Sequence, residues 1–358
     1  MAEQAVDVLL VSVGADLPWL TGYEAMPLER LTMLVVPRDG QATLVVPRLE
    51  APRVVEQPEV FTVEAFEEST DPIALVARIA GTASVAAVSD RTWARFVVDL
   101  QAAMPRSSWR RGSTVTGPLR AVKDVHEVAA LRRAAQAADR VAAQLQGGEI
   151  ALVGRTEADV SADLGRRLVA EGHQRVNFAI VASGPNAASP HHDAEERVIA
   201  AGDVVLCDFG GTMFAEGGAG YCSDITRCVV AGGAAPSAEV AEAYAVLHEA
   251  QTAAVAAAVV GTPCEDVDAA ARAIIAAAGY GDRFFHRTGH GIGVEEHEDP
   301  YVVAGNTTPL VPGHAFSVEP GIYTAGAWGL RLEDIVVASA DGPDPLNRVD
   351  HALVTVDV

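Results

Sequence analysis

Lysine is almost missing from this sequence. Lys123 is the only one among 26 basic residues, against 48 acidic ones, for a formal charge of −22. So acidic a chain argues against nucleic acid or an anionic membrane surface as partner. The scarcity of lysine beside abundant arginine and alanine reads as codon bias, not as function. Aromatic residues make up 5%. The four cysteines (Cys207, Cys222, Cys228 and Cys264) form no C-x-x-C pair, which suits free buried thiols in a reducing cytoplasm. Hydrophobic content is 49%, yet no apolar run reaches the length of a membrane span. The opening stretch MAEQAVDVLLVSVG has no basic leader and reads as a first strand, not a secretion signal.

What is present divides into two textures, as 358 residues allow. Residues 1–116 alternate. LTMLVVP and ATLVVP flank the turn RDGQ as a hairpin, and helical stretches near 71–80 and 91–103 interleave with β-like runs at VFTVE and SVAAVS. A small mixed sheet with flanking helices is expected. The Gly-, Pro- and Ser/Thr-rich stretch SSWRRGSTVTGPLRAVKD is the expected boundary. Residues 117–358 open on a capping box, Asp124-x-x-Glu127, with a long helix to Gln146 ended by Gly147-Gly148. A second helix follows from Thr156 to Gly172. The texture then turns to strands, interrupted by amphipathic helices near Glu239–Val260 and Cys264–Ala278.

Five strings in this second half stand out: CDFGG, SDITR, HRTGHGIG, SVEPGIY and RLEDIVV. They carry Asp208, Asp224, His290, Glu319 and Glu333. An acid embedded in an apolar strand, as Asp208 after VVLC or Glu319 after AFSV, is costly unless something neutralises it. Salt-bridged strand-end acids are the structural alternative for any one of them. Together, four carboxylates and an imidazole suit a pair of divalent ions such as Mn²⁺, Co²⁺ or Zn²⁺ better than a thiolate zinc site. Alternation puts Asp208 and Gly210 on one face, with Gly210 leaving room for an ion or substrate. Asp224 is expected across the same hairpin, within bridging distance of Asp208.

With these five strings in this order, the chain resembles the creatinase/methionine-aminopeptidase superfamily, and within it the Xaa-Pro dipeptidases (prolidases) and Xaa-Pro aminopeptidases. The resemblance is strong over residues 118–358 and weak over 5–110. It implies a creatinase-like α/β N-terminal domain followed by an α+β pita-bread catalytic domain. It further implies two divalent ions, Mn²⁺ first, with Asp208 chelating one, Asp224 and Glu333 bridging, and His290 and Glu319 completing the second. The nucleophile would be a bridging water, its pKa lowered by two cations about 3.5–4 Å apart. His286 and His297 fall in the pocket wall as substrate-binding residues, and His191 as the contact stabilising the gem-diolate oxygen. Glu319 would also shuttle a proton to the leaving amine. One departure is the segment MFAEGGAGYC between Asp208 and Asp224, about five residues longer than the family hairpin. It reads as a lengthened turn that leaves its flanking strands in place.

Several assignments stay open. Arg331, two residues before Glu333, either orients the carboxylates and pairs a substrate carboxylate, or forms a salt bridge to Asp334. His286 and His297 could be surface histidines on a Gly-rich loop, and His192 a mere neighbour of His191. His173, His248, His314 and His351 match nothing and read as surface or interface residues. Trp19 and Tyr23 in LPWLTGYEAMP are either exposed anchors of an expected homodimer or core packing. The leading functional expectation is hydrolysis of the bond preceding proline in Xaa-Pro dipeptides or short peptides. The alternatives are a hydrolase or lyase of another small amide or carboxylate on the same metal site, and an inactive binding or scaffold protein.

Overall fold

Strand alternation forces two cores onto the N-terminal sheet. All five side chains of β1 (Val8–Ser12) are buried, although successive residues leave opposite faces. Val8 and Leu10 join Met33, Val35 and Val45, whereas Leu9 and Val11 join Leu34, Leu44 and Val46. The computed structural model describes residues 1–214 and 218–357. It arranges β1, β2 (Met33–Pro37), β3 (Ala42–Pro47), β4 (Phe61–Phe66), β5 (Val85–Val88) and β6 (Ser108–Arg111) in the order β4-β3-β2-β1-β5-β6. The β1–β2 and β2–β3 pairs are antiparallel, and the other three parallel. Helices α1 (Asp16–Thr21), α2 (Pro72–Ala80) and α3 (Ala94–Ala103) cover the faces, contributing Leu17 to one core and Val76, Phe96 and Leu100 to the other. Tyr23 belongs to that packing at 5% exposure, so of its two readings core packing is the one that holds.

The stretch expected as the boundary is ordered as β6 and helix α4 (Ser113–Ala121), which contains Pro118. The start of α4 is secured from elsewhere in the chain: Asp90 accepts from the Ser113 amide and hydroxyl. The chain divides into two compact units, the first of residues 1–120 with 218–220 and the second of residues 121–214 and 221–357.

The second unit opens on α5 (Val125–Gln146), where both halves of the Asp124/Glu127 capping box are made. In α6 (Glu157–Ala170) the Thr156 hydroxyl accepts from the Asp159 amide. Next come β7 (Arg175–Ser183), β8 (Val204–Phe214), β9 (Gly220–Cys222), β10 (Ile225–Ala231), α7 (Ala238–Ala257) and α8 (Cys264–Ala277). The chain ends with β11 (Gly289–Gly291), β12 (Glu298–Val302), β13 (Ala315–Val318), β14 (Gly321–Thr324), β15 (Trp328–Arg331), β16 (Asp334–Ser339), β17 (Gly342–Pro345) and β18 (Val354–Val356). One five-stranded sheet runs β18-β10-β8-β7 with β9 beside β8; another runs β12-β11-β13-β16-β17; β14 and β15 form a ribbon. Residues 215–217, within the lengthened turn, lie outside the described residues. The flanking strands β8 and β10 pair antiparallel.

Alternation again decides what faces where. Val205, Cys207 and Phe209 of β8 enter one core with α5 and α6, while Val204 and Leu206 enter the other with α7 and α8. Asp208 therefore falls on the second side. No helix of the described residues is long and apolar enough to cross a membrane.

Two histidines read as surface residues are buried. His173 is 2% exposed and His314 is 5% exposed. His173 Nδ1 donates to the Leu168 carbonyl and its Nε2 meets Ser223 Oγ at 2.8 Å. Nδ1 of His314 accepts from the Val311 amide, so that ring is neutral. Burial, then the nearby Lys123 charge, pushes His314 from its ordinary 6.5 down to about 4. Between those values the unfolded chain binds a proton that the folded chain does not, so stability falls as pH drops through this window and levels off below it. Urea midpoints at pH 7 and pH 5 should therefore differ less in His314→Gln than in the parent. An equal drop in both would contradict this account.

Candidate metal centre

Asp208 faces Thr226 across the β8–β10 pair. Asp224, two residues before Thr226, shares that face. The other sheet brings His290 in β11, Glu319 just after β13 and Glu333 just before β16. One ligand atom each of Asp224, His290 and Glu333 lies within 4.8 Å of the others, and all three residues are buried. His290 Nε2 is 3.2 Å from Glu319 Oε1 and 3.7 Å from Asp224 Oδ2. Its Nδ1 is committed to the Gly291 carbonyl at 3.2 Å, leaving Nε2 as the nitrogen that faces the acids.

Arg331 ties in Asp208, with Nη2 2.5 Å from Asp208 Oδ2. Its Nε donates to Thr226 Oγ1, and Nη1 to the Pro190 carbonyl and Tyr323 Oη. Asp334, the alternative partner, is taken: Arg227 Nη2 bonds its Oδ1 at 2.8 Å, while His351 and Gln251 hold Oδ2. That rules out the Arg331–Asp334 salt bridge and shows His351 as a partner of a buried acid. With all three guanidinium nitrogens engaged and 2% exposure, Arg331 is arranged to orient carboxylates.

The charges do not balance without cations. Burial first, then the charges of Glu333, Asp208 and Glu319, raises Asp224 well above the ordinary carboxylate range. Glu333 is raised likewise by burial and by Glu319 and Asp208. Asp208 is raised by burial despite Arg331. Glu319 goes the other way: burial opposes its charge, but the hydrogen bond and charge of His290, with Arg331 and His286, hold it at about 2. Asp208 Oδ1 and Glu333 Oε1 are buried with no hydrogen-bond partner. Buried acceptors nearly always have one. Hard oxygen atoms left unsatisfied beside an imidazole fit divalent cations.

Glycine acts here differently from the expectation. A Cβ on Gly210 would lie 2.1 Å from the Ser223 carbonyl and 2.9 Å from the Phe178 ring. The space beside Asp208 is thus filled by protein and not kept for an ion. Gly289 likewise admits the Ser317 carbonyl, and Ser317 Oγ accepts from the His290 amide while donating to Glu319 Oε1.

The remaining histidines surround the cluster. His297 is open to solvent on one side, and its ring packs on His290 with centroids 3.9 Å apart. Partial desolvation and then the His290 charge lower it to about 4. His191 is exposed and close enough to His286 and His297 for its charge to act on both. His286 bonds the Arg287 carbonyl through Nδ1 and Tyr323 Oη through Nε2, so it can reach substrate only by giving up one of these. His192 turns away to Glu157, 2.8 Å distant. Sequence reasoning missed Thr226, Ser317, Tyr323 and Glu157. Thr226 and Ser317 each lie two residues from an assigned acid on one strand face, a usable signal. Tyr323 and Glu157 carried none.

Buried acids with unsatisfied oxygens around one imidazole, set on the two sheets of a pita-bread domain, define a metal-dependent hydrolase. Comparison with known proteins agrees: residues 129–340 match the model of metallopeptidase family M24, and residues 1–122 that of the creatinase/prolidase N-terminal domain. The chain is 44% identical to the probable dipeptidase PepE of Mycobacterium tuberculosis, over all of this chain and 94% of that one. Among solved structures, dipeptidase PepE from Mycobacterium ulcerans superposes with a TM-score of 0.91 at 43% identity, covering 100% of this chain and 95% of that one. A recombinant prolidase from Thermococcus sibiricus gives 0.90 at 34% identity, covering 99% and 96%. The chain belongs to metallopeptidase family M24, with a creatinase/prolidase-type N-terminal domain.

Thr226 Oγ1 links Glu333 Oε2, at 2.7 Å, to Arg331. Thr226→Val removes that link without adding bulk. Outer partners of ligands typically govern affinity by about 10–100-fold, and a loss of that size is expected for Mn²⁺ in calorimetric titration of metal-stripped protein. Unchanged affinity would show that Glu333 is oriented without Thr226.

Proposed function

We propose that this protein hydrolyses the peptide bond preceding proline in Xaa-Pro dipeptides or short Xaa-Pro peptides. Asp208, Asp224, His290, Glu319 and Glu333 would hold two divalent ions, Mn²⁺ foremost. The observation that carries this reading is the pair of unpartnered buried oxygens, Asp208 Oδ1 and Glu333 Oε1, within a cluster of four acids. Counting charges supports two ions. Four carboxylates against the Arg331 guanidinium leave three negative charges, and an imidazole that binds an ion, as His290 would, is neutral and adds none. Two divalent ions and one hydroxide bring three positive ones. A relative named probable dipeptidase PepE, 44% identical over the whole chain, supports a short peptide as substrate.

Bound divalent ions would polarise the scissile carbonyl and make water nucleophilic at neutral pH. The chain's own residues supply the rest. Glu319, held ionised, accepts the proton of the attacking water and passes it to the departing nitrogen. That transfer matters most before proline, whose nitrogen carries no N–H and becomes a secondary amine on leaving. His297, kept neutral by its surroundings, donates an N–H to the oxyanion as it forms, and His191 does so from the segment between β7 and β8. Arg331 holds Asp208 and the Pro190 carbonyl in place.

Mn²⁺-loaded protein should cleave Xaa-Pro dipeptides with higher kcat/KM than Xaa-Ala dipeptides, and tests on Xaa-Pro-Yaa peptides separate dipeptidase from aminopeptidase action. Equal or faster cleavage of dipeptides without proline would overturn the specificity. His297→Ala should lower kcat by roughly 10²–10³ with metal content unchanged, the usual loss for one oxyanion donor. Loss of an ion in that variant would make His297 a ligand.

A further inference from the structure

Outside the metal centre, the most heavily bonded buried acid is Glu157, the first residue of α6, with 0% exposure. Its Oε1 accepts from the Ser183 amide and hydroxyl, both at 2.7 Å. Asn186 Nδ2 reaches both oxygens, at 3.2 and 3.0 Å. His192 Nε2 bonds Oε2 at 2.8 Å, and the Glu195 amide approaches it at 3.4 Å. Backbone bonds reinforce the stitch: the Glu157 amide donates to the Arg197 carbonyl and the Ala158 amide to that of Glu195. None of these donors is a candidate ligand. Every side-chain bond lands on the segment from Ser183 to Glu195, which carries His191.

His191 itself is exposed, yet the residues on either side of it are pinned. The Pro190 carbonyl takes Arg331 Nη1 at 3.2 Å, the His192 ring is on Glu157, and the His192 amide closes a turn onto the Ser189 carbonyl. A hydrogen-bond donor helps a transition state only when it is already in place, since misplacement by about 1 Å can cost 10²-fold. We propose that Glu157 is a positioning residue for His191, holding Asn186 and His192 so that the loop presents His191 to the substrate oxygen. This rests on the reading of His191 as an oxyanion donor.

A double-mutant cycle on the full-length Mn²⁺-loaded enzyme with an Xaa-Pro dipeptide tests it. Glu157→Gln should lower kcat by roughly 10–10²-fold while KM and metal content hold. In the His191→Ala background the same change should cost less than about twofold, because the residue it positions is gone. His192→Ala, which leaves Glu157 its Ser183 and Asn186 donors, should behave the same way and serves if Glu157→Gln does not fold. Losses that multiply in the double variants would overturn the proposal while leaving the role of His191 intact. A normal kcat in His191→Ala alone would instead overturn that role, and the proposal with it.

Discussion

Four carboxylates, three of them buried and the fourth partly so, repel one another, and that repulsion is the constraint around which the second unit is organised. An ion moved from water into a protein interior loses several kcal/mol of hydration even after relaxation. Asp208, Asp224, Glu319 and Glu333 suffer this together, with one guanidinium among them. Left to themselves three of the four are driven toward their protonated forms, Asp224 and Glu333 well above the ordinary range. The fold nevertheless spends strands from two sheets to gather them. Only an external positive charge makes that arrangement stable in its ionised form, and it is why membership of a metallopeptidase family and the geometry point the same way.

The supporting residues share a pattern: cations face the acids from behind. Arg227 and Arg331 are the largest fully buried side chains of the described residues. Arg331 aligns Asp208, while Arg227 donates to the Glu333 carbonyl at 2.6 Å and pairs with Asp334. The one lysine, whose rarity looked like composition alone, sits buried with Nζ 2.6 Å from Glu298 Oε1. Glu298 directly follows His297, so the pair anchors the strand that begins beside that histidine. A compact ammonium fits this position, where a forked guanidinium would need more room.

Much of this was legible because local signals were strong. The hairpin from Met33 to Pro47, the Asp124 capping box and the Thr156 cap each rest on neighbours in sequence, and all appear where expected. The candidate acids were legible because an acid directly after VVLC or AFSV is costly unless something neutralises it. What could not be read depends on residues far apart. Pro118 sits in a helix whose first residue is held by Asp90, 23 residues earlier. His314 and His173 are buried by partners that no periodicity identifies. Gly210 looked like space for an ion, whereas the Ser223 carbonyl and Phe178 occupy that space. Arg331 had two acids within reach by spacing, and the structure pairs it with Asp208, 123 residues away.

The central claim is that the acid cluster exists to hold divalent cations. The most direct test is to strip the protein of metal and count the Mn²⁺ it rebinds, following hydrolysis as the ions return. The account predicts two ions per chain, with activity absent after stripping and restored as they bind. Full activity in the stripped protein, or activity complete while no ion is bound to the cluster, would contradict it.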